Sequence, residues 1–377
     1  MQSRSKRAFV LVPAAMVVSA LCFVSIMPAA GMQNSTGYIQ HNLVSNLPNT
    51  AITTDPNLKN PWGIAFSPTG PFWISDNGTG VSTVYNGQAH QVPSSQSPLV
   101  VTIPPPSGST DPAAPTGIVF NGSQDFLVSM PGGKPAPAVF IFATEDGTIS
   151  GWNPSVSPTT AILASDQSSL GAVYKGLAIT NGGSGSRLFA TDFHNNAVRV
   201  FDGQFNQVGS FTDSALPPGF APFGIVNIQG LLYVSFALQK PPDNEDDQKG
   251  PGNGFVDVFS TAGQLMRRLV SGGELNSPWG MAFAANFGEF SNALLVGNFG
   301  DGEINAYDIS TGAFMGKLTN QIGQPIMIDG LWGLIFGNGG QGGNSAVLYF
   351  TAGPNDENDG LFGDLQPAQS NGGIINP

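Results

Sequence analysis

The stretch Pro61-Trp62-Gly63-Ile64-Ala65-Phe66, followed shortly by Phe72-Trp73-Ile74-Ser75-Asp76, decides the fold because the chain repeats it. A bulky or polar residue, then Gly, then a small and apolar run recurs as Thr116-Gly117-Ile118-Val119-Phe120, Lys175-Gly176-Leu177-Ala178-Ile179 and Phe223-Gly224-Ile225-Val226. It returns as Trp279-Gly280-Met281-Ala282-Phe283 and Trp332-Gly333-Leu334-Ile335-Phe336. The six glycines are spaced by 54, 59, 48, 56 and 53 residues. Self-similarity at such a period marks a repeat architecture.

Each phrase leads into a second apolar run that ends in a small residue. These runs are Phe72–Ser75, Phe126–Ser129, Leu188–Thr191, Leu232–Ser235, Leu294–Gly297 and Leu348–Thr351. Third runs alternate, as in Ala197–Asp202 and Phe255–Phe259, and fourth runs include Leu265–Val270 and Phe314–Leu318. Four short strands in each of six units predict an all-β, six-bladed β-propeller. The first run of each unit is almost continuously apolar, as an innermost strand buried on both faces requires. Tyr38–Ser45 resembles the outer strand Leu265–Ser271, and the last blade shows only three strands before a Gly/Asn tail. The N-terminal strand is therefore expected to complete the last blade, giving one domain over 38–366 and a disordered tail over 367–377. The run Val139–Ala143 is left without a strand assignment.

Composition agrees. Charged residues make up 10% of the 377-residue chain, against about a quarter in ordinary globular proteins, while Gly 50 and Pro 30 supply turns and 41% is hydrophobic. The formal net charge of −12 argues against a nucleic-acid partner. We expect a monomer.

The N-terminus reads as an export signal. Arg4, Lys6 and Arg7 precede an uncharged, mostly apolar stretch, and Ala29, Ala30 and Gly31 supply small residues for cleavage. Residues 1–31 are expected to be removed, with retention as a membrane anchor as the alternative. The mature protein would be secreted, periplasmic or at the cell surface. Cys22, the sole cysteine, lies inside this segment, so the mature chain would hold no disulfide or Cys-based metal site.

Pro61-Trp62-Gly63-Ile64-Ala65 with Trp73-Ile74-Ser75-Asp76, and Lys175-Gly176-Leu177-Ala178 with Leu188–Asp192, resemble the NHL repeat of six-bladed propellers. The phrases Asn60-Pro61-Trp62-Gly63, Glu145–Trp152, Gly250–Gly254 and Asp329–Gly333 resemble an uncharacterised family of exported bacterial propellers. That resemblance implies fold and compartment, and no activity. Propeller lactonases are similar in architecture. They imply a divalent cation held by Asp, Asn and Glu near the inner-strand starts, where this chain carries mostly aromatics.

Several candidate sites follow. Trp62, Lys175, Phe223, Trp279 and Trp332 precede repeat glycines, so they should ring the central channel at the face where the inner strands begin, here the upper face. Such aromatics either stack on a sugar or other planar ligand, or plug the channel. Asp76, Asp192, His194 and Asn298 end the second strands or follow them, as ligand contacts or turn formers. His194 is the histidine placed for acid–base work. Asp243, Asp246, Asp247, Asn355 and Asp356 lie in two acidic loops. These read as solvated loops or as a Ca2+ site, although neither completes a Ca2+-loop motif. The expected role is binding of a carbohydrate, another small molecule or a protein partner at the upper face. The alternative is a cation-dependent hydrolase or lyase acting on a sugar or lactone.

Overall fold

Every repeat glycine marks an inner strand in the computed structural model, which describes residues 37–181 and 185–368. The expected signal segment, Cys22 and all but the start of the expected tail lie outside those residues. Six sheets of four or five strands carry the blades. Blade 1 runs outward through Pro61–Ala65, Phe72–Asp76, Val81–Tyr85 and Val100–Thr102. Blades 3, 4 and 5 begin at Tyr174–Thr180, Phe220–Ile228 and Pro278–Phe287 and follow the same order. Each inner strand touches the next one round the ring, and Leu331–Phe336 of blade 6 touches Pro61–Ala65 of blade 1. The chain is a six-bladed β-propeller.

Blade 6 closes as expected. Tyr38–Ser45 pairs antiparallel with Leu361–Pro367, from Tyr38 opposite Pro367 to Ser45 opposite Leu361. Its seam is pinned by His41 Nδ1 at 2.8 Å from Asp364 Oδ1, and the Tyr38 hydroxyl donates to Phe287 O of blade 5 at 2.9 Å. Closure removes an unpaired edge that would otherwise invite aggregation.

Blade 2 corrects one assignment. Its second strand is Phe140–Thr144, paired with Pro115–Phe120, and not Phe126–Ser129. The residues Leu127–Val128 instead form a small peripheral hairpin with Ala136–Pro137. Burial explains the choice. Every residue of Phe140–Thr144 is buried, whereas Leu127 and Ser129 face solvent on either side of the buried Val128. A strand covered on both faces must be apolar throughout, and only the Phe140 run is.

The repeat glycines have a shared physical cause. A Cβ at Gly224 would lie 2.0 Å from Trp279 O, and one at Gly280 would lie 2.2 Å from Trp332 O. At Gly63 it would meet Thr116 O at 2.3 Å, and at Gly333 it would meet Trp62 O at 2.7 Å. In these blades the glycine thus admits the backbone of the next blade, whose carbonyl belongs to the residue before its own glycine. In blades 3 and 6 the threonine near the end of the second strand staples the same seam. Thr191 Oγ1 accepts from Gly176 N at 2.7 Å and donates to Phe223 O at 2.7 Å. Thr351 Oγ1 does the same between Gly333 N (2.9 Å) and Trp62 O (2.5 Å).

Candidate functional site at the upper face

The residues before the repeat glycines converge on the axis, as their equivalence predicts. Trp62, Phe223, Trp279 and Trp332 join Phe193 and Phe299 in one buried cluster, each no more than 8% exposed. Trp332 is sandwiched, with its ring centroid 3.5 Å from Trp62 and 3.9 Å from Phe299 and near-parallel planes. Trp279 meets Trp62 and Trp332 edge-on at 5.9 and 5.7 Å. The aromatics spend their faces on one another and plug the upper end of the channel. Two indoles are anchored, Trp332 Nε1 to Asn60 Oδ1 at 3.0 Å and Trp279 Nε1 to Lys175 O at 3.2 Å.

A polar constellation borders this plug. The side chain of Lys175 is only 3% exposed and is paired with Glu145, with Asp246 Oδ1 3.9 Å away. Asn77 donates to Glu145 Oε2 at 2.8 Å, and Asn60 donates to Glu357 Oε2 at 2.7 Å. The Lys175 ammonium lies 5.2 Å from the Trp62 ring centroid, and that of Lys249 lies 4.0 Å from Phe299. Burial would lower the Lys175 pKa, but Glu145, Asp246 and Asp247 outweigh it and hold the ammonium more firmly charged than usual. Glu357 and Asp247 are pushed above the ordinary carboxylate range, chiefly by burial. Glu357 is delivered by three successive left-handed residues, Asn355, Asp356 and Glu357, with φ of 58°, 51° and 65°. Such a run is costly for residues with a Cβ, and strain of this kind gathers at functional sites.

Other candidates have structural duties. Asp192 is buried, accepts from Val173 N at 3.2 Å and pairs with Arg199 at 2.8 Å. Asn298 accepts from Asn276 N at 3.1 Å and donates to Glu274 O at 2.8 Å, bracing the approach to its own inner strand. Asp76 is fully buried, takes a 2.8 Å bond from Thr83 and has a pKa raised by that burial. His194 Nδ1 sits 2.9 Å from Asp243 O, so it binds a loop and not a carboxylate side chain. Asn355 Nδ2 donates to Asp359 Oδ2 at 2.7 Å, within its own loop. Among the described residues no three His, Cys, Asp or Glu side chains converge as a cation cage.

Sequence reading missed Glu145, Lys249 and Phe299. Glu145 directly follows the second strand of blade 2, as Asn77, Phe193 and Phe299 follow theirs. The misplaced strand in that blade hid the equivalence.

Two proteins of Acanthamoeba polyphaga mimivirus align along most of the chain. Uncharacterized protein R648 is 33% identical over 332 residues, covering 86% of this chain and 78% of that protein. This chain belongs to the same family. Uncharacterized protein L690 of that virus is also 33% identical over 332 residues, covering 86% of this chain and 84% of its own length. The family relatives found are viral, so a bacterial source is not supported. No family model matches the chain. Among solved structures, a streptogramin B lyase aligns with a TM-score of 0.52 at 13% identity, over 89% of this chain and 99% of that one. At that identity the likeness is one of fold.

Proposed function

We propose that this propeller is a binding protein that takes a polyhydroxylated or amine-bearing small molecule, such as a carbohydrate, at its upper face. One observation carries the reading: a buried Lys175 ammonium, paired with the partly exposed Glu145 and surrounded by groups from several other blades. Asn60, Asn77, Lys249, Asp246 and Glu357 reach it from blades 1, 4 and 6, and Glu357 does so on a strained turn. Buried charge is a poor way to stabilise a fold, because desolvation offsets much of the attraction. Perturbed carboxyls gathered round a buried ammonium are instead the usual furniture of a ligand site. Carboxylates outnumber ammonium groups there, which favours hydroxyl and amine donors over anions.

A lactonase-like hydrolase would need convergent oxygen ligands for its cation, and among the described residues no three His, Cys, Asp or Glu side chains form such a group. We also propose that residues 1–31 direct export and are cleaved after Ala30 or Gly31.

Lys175 lies against Trp62, so occupancy should alter tryptophan emission. A titration series of sugars, amino sugars and polyamines should yield a saturable change that Glu145→Gln and Asn60→Ala weaken at least tenfold. A series with no change, or a change indifferent to both variants, would sink the proposal.

A further inference from the structure

The opposite end of the same channel is built differently. Below the plug the channel opens into a cavity of about 660 Å3, floored by Trp279 and walled by all six inner strands. The position after each repeat glycine is aliphatic in every blade: Ile64, Ile118, Leu177, Ile225, Met281 and Leu334. Two residues on, at the same side of each strand, stand Phe66, Phe120, Ile179, Asn227, Phe283 and Phe336. Those rim residues are only half-buried. Ile179 and Asn227 occupy the position in two blades, so the ring does not demand phenylalanine there. Four phenylalanines left partly open at one rim are a cost to solubility that the architecture does not require. Among the described residues no Asp, Glu, Lys, Arg or His lines the cavity.

We propose that this well is a second binding site, for a neutral, largely apolar small molecule. The volume lies within the range of small-molecule pockets, about 300–1,000 Å3. The wall is a closed ring of strands, so no groove leads a polypeptide across it. Polar side chains stand only at the margin, where Asn227 already donates to Ile179 O at 2.9 Å and Gln229 is exposed. A ligand with one hydroxyl or carbonyl at its outer end suits that rim. Trp279 alone is common to the two ends, flooring this well and donating its indole N–H to Lys175 O, while Phe283 and Leu334 take no part in the Lys175 constellation, so either reading survives the failure of the other.

The test is titration of the full chain with Nile red, a neutral apolar dye. One dye per chain should bind with a saturable rise in emission, and decanol should displace it. Phe283→Glu, which places a charge at the rim, and Leu334→Trp, which fills the well, should each weaken binding tenfold or more. Val208→Trp, on the exposed outer strand of blade 3, adds an aromatic elsewhere and should leave it unchanged. Melting curves of all three identify a variant that fails to fold. The half-buried Phe283 position carries the decision if Leu334→Trp does. Absence of saturable binding would overturn the proposal, as would binding that Phe283→Glu leaves intact. Nile red emission that tracks a dimer in sedimentation would assign the face to a second copy instead and overturn it equally.

Discussion

The two ends of the channel start from one repeated phrase and end in opposite chemistry. At the upper end the varying residue before each glycine is Trp, Thr, Lys, Phe, Trp and Trp, and loops add carboxylates and amides. At the lower end the varying residues are aliphatic or aromatic except Asn227, and among the described residues no ionisable group lines the wall. The upper end is filled and charged, while the lower end is hollow and neutral. Repeats supply six equivalent positions. What differs between blades at those positions, more than the repeat itself, locates function.

The largest expected effect probes the filled end. Trp332→Ala removes the middle of a three-ring stack and should cost about 3–5 kcal/mol in denaturant unfolding. The half-buried Phe336 at the open rim should cost less than half as much when truncated. Equal losses would erase the contrast between a packed plug and an open well.

The next effect separates charge placed for stability from charge placed for binding. Lys175→Met strands Glu145, whose side chain is 27% exposed. Its cost should fall below the roughly 3–5 kcal/mol of a fully buried orphan. The double variant Lys175→Met/Glu145→Gln should recover that loss and match the wild type in chemical denaturation. A double variant as unstable as the single one would mean that the pair holds the fold.

The smallest effect is in pH. Glu357 carries a pKa raised by burial, so the native state holds its proton at pH values where the unfolded chain has released it. Its contribution to stability therefore falls as pH rises from the ordinary glutamate range through the folded value. Glu357→Gln should flatten that slope. Asp257, in the third strand of blade 4, is pushed to about 7, chiefly by burial, and gives a slope of the same sign between the ordinary aspartate range and 7. The comparison is therefore best made in an Asp257→Asn background. Rim variants such as Phe336→Ala should leave the pH profile unchanged, since no titratable group lines that end.

Much of this was legible in the chain. The glycine spacing specified six blades because each glycine answers one backbone contact, and the likeness of Tyr38–Ser45 to Leu265–Ser271 specified the closure. Blade 2 was misread because two apolar runs compete there. Only burial on both faces, a tertiary property, selects Phe140–Thr144. At the upper site the aromatic residues were found by equivalence. Glu145 and Glu357 escaped because their partners lie 30 and 297 residues away, at Lys175 and Asn60. The lower well left a sequence signal, the residues one and three places after each glycine, apolar in every case but Asn227. That signal is identical to the one a solid core would leave.

The seam in blade 6 has a consequence for synthesis. Ser45 leaves the ribosome early and finds the backbone of Gly360 only 315 residues later. Until then blade 6 is incomplete, and Tyr38–Ser45 lacks its antiparallel partner Leu361–Pro367. Contacts of such long sequence separation slow folding, because the loop must close before any pairing offsets its entropy. The nascent chain is thus a ring held open throughout translation. Any process that pulls steadily on its N-terminus competes directly with the last step of closure.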